Sequence, residues 1–123
     1  MTTKIVGDIA IINNETVLIK DGASALDFIA SIGYEYNVTK IAIDKTVLTE
    51  DFFRLSTGLA GEIVQKFVNY GYRVAIIGDF STYTSTPLRE YIYECNNGKQ
   101  LNFFADENEA VRRLSEKRDE YSQ

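Results

Sequence analysis

Two acidic residues and one hydroxyl-rich segment are the parts of this chain best placed for chemistry. Asp44 and Asp79 each end a short apolar run, and residues 56–61 read Ser-Thr-Gly-Leu-Ala-Gly at the predicted start of a helix. A helix start offers free N–H groups and a favourable dipole, so a phosphoryl group on a hydroxyl there would be stabilised. The two carboxylates could instead bind a metal ion or exchange protons, or simply cap the turns that follow their strands.

The hydroxyl-rich segment and the strand ends define two overlapping sets of candidate residues. Thr57 and Ser56 are the candidate phospho-acceptors, with the structural alternative that Thr57 only caps the helix while Gly58 and Gly61 allow close packing. Ligands of open α/β sheets gather beyond the carboxyl ends of the strands. The candidates for binding a ligand there are Asp44, Gly58, Asp79, Ser81, Tyr83 and Thr84.

Composition weighs against several kinds of enzyme. The chain has no histidine, so the commonest metal ligand and general base is missing. Its one cysteine, Cys95, falls on the apolar stripe of a predicted helix, where a small packed side chain is expected. The glycines do not form a dinucleotide-binding fingerprint, and no phosphate-loop lysine follows them. We therefore expect no catalytic residue, no metal site and no cofactor, and an enzyme would have to use Asp, Glu, Tyr or Lys as its acid and base.

Charge and hydropathy narrow the choice of partner. With 18 acidic against 13 basic residues, the net charge of −5 disfavours nucleic acid. No apolar run approaches the roughly 20 residues that span a bilayer, and residues 1–12 lack the features of a secretory signal, so no membrane association is expected. A single cysteine cannot form an internal disulfide, which suits the reducing cytoplasm.

The order of apolar runs and turn residues predicts one α/β domain over residues 1–123, with residues 118–123 as a frayed tail. It opens with a hairpin or short antiparallel strands, whose turn is expected at Asn13-Asn14 before a second run at residues 17–19. Helices and strands then alternate, which favours right-handed crossovers and a mainly parallel mixed sheet. About five strands and four helices are predicted.

Capping residues and breakers predict where these elements begin and end. Asp21 is placed to cap the first helix, and Asp106 with Glu109 to cap the last. The second helix is expected to begin near Thr57 and to stop at Gly71. The first helix is predicted to bury Leu26, Ile29, Ala30 and Gly33, and parallel strands are predicted at residues 40–44, 73–79 and 101–105.

Eight tyrosines provide a further candidate surface. Tyrosine is favoured at interfaces because it combines apolar area with a hydrogen-bonding tip, although it is equally suited to the rim of a core. Tyr83, Tyr91 and Tyr93 surround the predicted third helix. They are the candidates for an interface with another protein or with a second copy of this chain.

Two stretches read together resemble a known family. Residues 51–63 (Asp-Phe-Phe-Arg-Leu-Ser-Thr-Gly-Leu-Ala-Gly-Glu-Ile) and 74–81 (Val-Ala-Ile-Ile-Gly-Asp-Phe-Ser) are similar to the bacterial family catalogued as domain of unknown function 4180. The resemblance implies no activity, because none is established for that family. Further matching segments are residues 25–27, 65–67, 83–85 and 91–96, so the resemblance extends over nearly the whole chain.

A more distant resemblance is to STAS domains, the fold of anti-sigma-factor antagonists. In those domains a strand ending in Asp leads through a loop to a Ser-Ser-Gly-Leu segment that opens a helix, and Asp44 with residues 56–59 resembles that arrangement. The resemblance implies that Thr57 takes the place of a regulatory phosphoserine. Three features depart from the pattern: a longer loop, Leu55 where an acidic residue is usual, and threonine as the acceptor.

These observations predict a non-catalytic, cytoplasmic regulatory or protein-interaction domain of STAS-like fold, controlled by phosphorylation at a helix start. Its partner would be another protein, with a homodimer as a further option. The alternative is a small-molecule domain that binds a phosphorylated ligand or a metal ion at the carboxyl ends of its strands.

Overall fold

A five-stranded mixed sheet with strand order 1-2-3-4-5 organises the chain. The computed structural model describes residues 1–116, so the predicted frayed tail at residues 118–123 lies outside the described residues. The first two strands pair antiparallel and the remaining pairs are parallel, as predicted. The strands are β1 (Thr2–Val6), β2 (Ile9–Asn13), β3 (Lys40–Asp44), β4 (Arg73–Ile77) and β5 (Leu101–Phe104).

Helices connect the parallel strands, and the described residues contain four α-helices, as predicted. Between β3 and α2 the backbone forms three short 3-10 turns in succession. The helices are α1 (Gly22–Glu35), α2 (Leu59–Asn69), α3 (Thr86–Asn96) and α4 (Glu107–Ser115), and the turns span Lys45–Val47, Glu50–Phe53 and Leu55–Thr57.

The strand residues alternate between two buried faces. Ile41, Ile43 and Ile76 belong to the larger apolar cluster, together with the buried sides of α1, α2 and α3. Ala42 and Ala75 belong to the second cluster, with Ala110 and Leu114 of α4. Burial on both faces explains the continuous apolar runs in the parallel strands.

The position of the opening hairpin differs from the prediction. The turn lies at Gly7-Asp8 between β1 and β2, not at Asn13-Asn14. Gly7 has φ +61°, a conformation that glycine adopts readily and that matches the twist of a two-residue hairpin. Residues 17–19 do not form the expected second strand, and only Ile19 makes an isolated bridge, to Leu48.

The buried face of α1 is also rotated from the predicted one. Asp21 caps the helix as predicted, accepting a hydrogen bond from the Ser24 N–H. Ile29 is buried as expected, but Leu26, Ala30 and Gly33 face outward. The helix turns its larger apolar side chains inward, and its buried residues are Gly22, Ala25, Phe28, Ile29 and Ile32.

Candidate functional site

Two connections meet beyond the carboxyl ends of β3 and β4. The first is residues 45–58, which carries the three 3-10 turns from β3 to the head of α2. The second is the β4–α3 loop, residues 78–85. β4 ends at Ile77, two residues before the predicted end, so Asp79 belongs to this loop and not to the strand. Apart from Asp44, which is the last residue of β3, the predicted ligand and phospho-acceptor residues are thus distributed over these two loops.

Asp44 is occupied in shaping the first connection. Its Oδ2 accepts hydrogen bonds from the N–H (3.0 Å) and the hydroxyl (2.6 Å) of Thr46, and Asp44 thereby caps the first 3-10 turn. Asp44 and Thr46 also border an open groove of about 570 Å³ on the β1–β2 side of the sheet edge. The groove is lined by Met1, Thr2, Asn13, Asn14, Glu15, Thr16, Asp44 and Thr46.

Asp79 is held inside its own loop. Its Oδ1 accepts hydrogen bonds from the hydroxyl (2.6 Å) and the N–H (2.9 Å) of Ser81. These bonds stabilise the charged form, so the Ser81 hydroxyl, followed by its amide, keeps the pKa of the Asp79 carboxyl below its ordinary value. Among the described residues no hydrogen bond or ion pair joins Asp79 to Asp44.

Replacing Ser81 by alanine should raise the pKa of Asp79 towards its ordinary value of 3.8, because the hydroxyl donor is lost while the amide remains. A depressed pKa in the folded state gives stability above the unfolded-state pKa that disappears as pH falls through the folded-state value. The Ser81→Ala protein should therefore lose less stability in acid than the unsubstituted protein. A carbon-13 titration of the Asp79 carboxyl tests this, with Asp21 as the internal control; an unmoved Asp79 titration would refute it.

Tyr83 connects the two loops. Its hydroxyl donates a 2.6 Å hydrogen bond to Oε2 of Glu50, and its ring stacks on Phe53 with centroids 5.2 Å apart. The Lys45 ammonium lies 4.8 Å from the centre of the same ring and donates to the Asp79 carbonyl at 3.1 Å. Burial, reinforced by the neighbouring Glu50, raises the pKa of Tyr83, so its hydroxyl remains a donor at neutral pH. We call Lys45, Glu50, Phe53 and Tyr83 the loop latch.

Sequence reasoning found Tyr83 but missed the other three members of the loop latch. Glu50 precedes Tyr83 by 33 residues, and no local pattern links them. Gly78 was the one sequence signal for Lys45. A side chain at position 78 would place its Cβ 2.7 Å from Cδ of Lys45, so only glycine leaves room for the lysine in this position. A glycine directly after a buried strand therefore marked a side chain crossing close to the backbone.

Thr57 lies one residue before the helix cap, which corrects its predicted position. Gly58 is the N-cap residue of α2, with φ +78°, and the first helical residue is Leu59. The Thr57 hydroxyl shares its proton between the carbonyls of Arg54 (2.8 Å) and Asp51 (3.0 Å), and it accepts from the Leu59 N–H at 3.2 Å. Thr57 is exposed, and its hydroxyl fixes the bend that leads into α2.

Ser56 is the freer of the two candidate phospho-acceptors. The residue is exposed, and in the described part of the chain its hydroxyl makes no hydrogen bond. The N–H groups of Ala60 and Gly61, in the first turn of α2, likewise have no acceptor among residues 1–116. A phosphoryl group at Ser56 would thus stand at a helix start with open donors.

The remaining predicted residues divide between surface and core. Tyr93 is 71% exposed on the outer side of α3. Tyr91 packs edge-on against Phe103 and is half-buried, and burial raises its pKa. Thr84 is exposed and makes no hydrogen bond among the described residues. Tyr93 therefore offers more contact surface to a partner than Tyr91 does.

The described residues contain neither a group of side chains suited to a metal ion nor a membrane-spanning helix. Within residues 1–116 no three His, Cys, Asp or Glu side chains are grouped so that they could hold a metal ion. In the same part of the chain no helix has the length and apolar character needed to cross a membrane.

Comparisons with known proteins show what the chain is similar to. The sequence profile of a family described as "Domain of unknown function (DUF4180)" matches residues 5–114. No curated protein matches the chain significantly in sequence. A crystal structure from Thermotoga maritima, provisionally described as an anti-sigma factor antagonist, has 13% identity and a TM-score of 0.53, with 94% of each chain covered. The likeness confirms the predicted STAS-like fold.

A second solved structure gives a weaker overlap. It is the unphosphorylated form of the anti-sigma factor antagonist SpoIIAA, 15% identical, with a TM-score of 0.44. The superposition covers 92% of this chain and 96% of that one.

Proposed function

We propose that this chain, which belongs to the DUF4180 family, is a non-catalytic regulatory domain of the cytoplasm. It binds another protein through the surface around the head of α2. Phosphorylation of Ser56 or Thr57 controls that binding. The observation that carries the proposal is that Ser56 and Thr57 are exposed directly before a helix in which the N–H groups of Ala60 and Gly61 have no acceptor among residues 1–116. A dianion there would change the charge presented to a partner while being stabilised by the helix start.

The absence of a catalytic arrangement among the described residues supports a binding role. Asp44 and Asp79 each use one carboxylate oxygen to accept hydrogen bonds from the loop that follows, so both side chains help to shape these loops. Tyr83 and Lys45, the other polar groups at this edge, bond to each other's loops. The same contacts give less support to the small-molecule alternative, since a ligand would have to displace them.

The STAS-like fold supports a protein as the partner. The Thermotoga maritima protein is provisionally described as an anti-sigma factor antagonist, a name that implies action on another protein. Extending that role to this chain is an analogy of fold. It favours a regulatory protein as the partner over a nucleic acid, in agreement with the net charge of −5.

The proposal predicts a modified fraction at the head of α2 and a change in partner binding when its charge changes. Protein recovered from its native cells should carry one phosphoryl group, assigned by fragment mass spectrometry to Ser56 or Thr57. Ser56→Glu should reduce retention of the natural partner by about tenfold or more, because a fixed negative charge enters a surface built around neutral hydroxyls.

Ser31→Glu provides the matched control. Ser31 is exposed on α1, so the substitution adds the same charge at a surface outside the proposed site. Retention should be unchanged in this variant. Absence of phosphate under every growth condition, together with full partner retention by Ser56→Glu, would remove the proposal.

A further inference from the structure

We infer that the Thr57 hydroxyl is energetically coupled to the β4–α3 loop through the 3-10 turn Glu50–Phe53, so that a change at Thr57 is transmitted to Tyr83. The inference extends the proposed function, because it gives a route from the phospho-acceptor segment to a second surface. The coupling itself is a property of the isolated domain and can be measured without a partner or a phosphate.

The 3-10 turn Glu50–Phe53 is bonded at both of its sides. The Thr57 hydroxyl bonds to the Asp51 carbonyl at 3.0 Å, and the Glu50 carboxylate accepts from the Tyr83 hydroxyl at 2.6 Å. Phe52 and Phe53 anchor the turn in the core, with 1% and 3% of their surfaces exposed. A short turn with two buried rings cannot deform freely. Displacement of the backbone on one side of the turn therefore displaces the other side.

The β4–α3 loop is held in place by the same 3-10 turn. Tyr83 has two contacts to it, the hydrogen bond to Glu50 and the ring stack on Phe53. Within the loop, the Tyr83 N–H donates to the Phe80 carbonyl at 3.3 Å. Movement of the turn would therefore loosen Tyr83 and the bend around Phe80 together.

Phosphorylation of Thr57 would act on this route directly. A phosphothreonine has no hydroxyl proton, so it cannot donate to the Asp51 and Arg54 carbonyls that the threonine now holds. Its dianion would also repel those two carbonyl oxygens. Ser56 makes no such bonds, so phosphorylation there would alter the surface charge without releasing the turn.

A double-mutant cycle tests the coupling. Thr57→Val removes the hydroxyl but keeps the branched shape, and Tyr83→Phe removes the hydroxyl but keeps the ring. We expect the effect of the pair on the unfolding equilibrium constant to differ from the product of the single effects by more than about threefold. The control cycle combines Thr57→Val with Tyr72→Phe. Tyr72 is half-buried and its hydroxyl lies near Gly33, away from the turn, so the effects of this pair should be multiplicative.

Hydrogen exchange in Thr57→Val alone is the second readout. The Tyr83 amide should exchange several-fold faster, while the Tyr36 amide, bonded to the Ile32 carbonyl at the end of α1, should be unchanged. The inference requires both results; a multiplicative cycle or an unchanged Tyr83 amide would overturn it. Missing phosphate in the native protein, together with full partner retention by Ser56→Glu, would refute the proposed function but leave this coupling intact.

Discussion

Replacement of Phe53 by alanine should lower the free energy of unfolding by about 3–5 kcal/mol, the usual cost of emptying a phenylalanine site in a core. Phe53 is 3% exposed and contacts the rings of Phe52, Phe80 and Tyr83. The cavity would lie within the loop latch, of which Phe53 is a member, so we also expect Tyr83 and the 3-10 turn to loosen. Chemical denaturation followed by circular dichroism measures the change.

Two comparison variants make the Phe53 prediction specific. Phe53→Leu keeps most of the volume and should cost about 1–2 kcal/mol. Tyr70→Ala removes an aromatic ring that is 62% exposed at the end of α2, and should change stability by less than about 1 kcal/mol. Equal effects of Phe53→Ala and Tyr70→Ala would contradict the placement of Phe53 in the core.

Replacement of Asn102 by alanine should cost about 2–3 kcal/mol, because its buried side chain would give up hydrogen bonds to three residues, each bond contributing about 1 kcal/mol. Asn102 is 2% exposed in β5. Its amide nitrogen donates to the carbonyls of Cys95 and Gly98 at 3.3 and 3.2 Å, and its oxygen accepts from the Arg73 guanidinium at 3.1 Å. The side chain therefore ties the end of α3 to the edge of the sheet.

The exposed Asn69 is the matched control for Asn102. Its oxygen accepts from the Gln65 side chain on the surface of α2, at 2.8 Å. Asn69→Ala should change the free energy of unfolding by about 0.5 kcal/mol or less, since water replaces the lost partner. A cost for Asn102→Ala as small as that for Asn69→Ala would show that the buried network does not contribute as described.

Local signals explain which parts of the fold were predictable. Asp21 and Asp106 cap their helices by accepting hydrogen bonds from N–H groups three residues on, so sequence proximity suffices to find them. The strand at residues 40–44 was found because it is short, apolar and β-branched. The face of α1 was missed because Leu26 and Phe28 both fit a helical stripe, and only packing against α2 selects between them.

The loop latch could not be predicted because its members are joined only by strand register. Lys45 meets the Asp79 carbonyl across 34 residues, and Glu50 meets Tyr83 across 33. The parallel pairing of β3 with β4, which sets Asp44 opposite Ile77, brings these loops together. The candidate phospho-acceptor segment was chosen for its hydroxyls, but the helix cap lies at Gly58, which has a positive φ, one residue later than expected.

The measurement that bears most directly on the regulatory role is partner retention by the protein with and without charge at Ser56. We expect the natural partner to be held by the unmodified protein and by Ser31→Glu, and to be released by Ser56→Glu. Equal retention by all three proteins, with unmodified hydroxyls at residues 56 and 57 in the native cell, would contradict a phosphorylation-controlled docking surface at the head of α2.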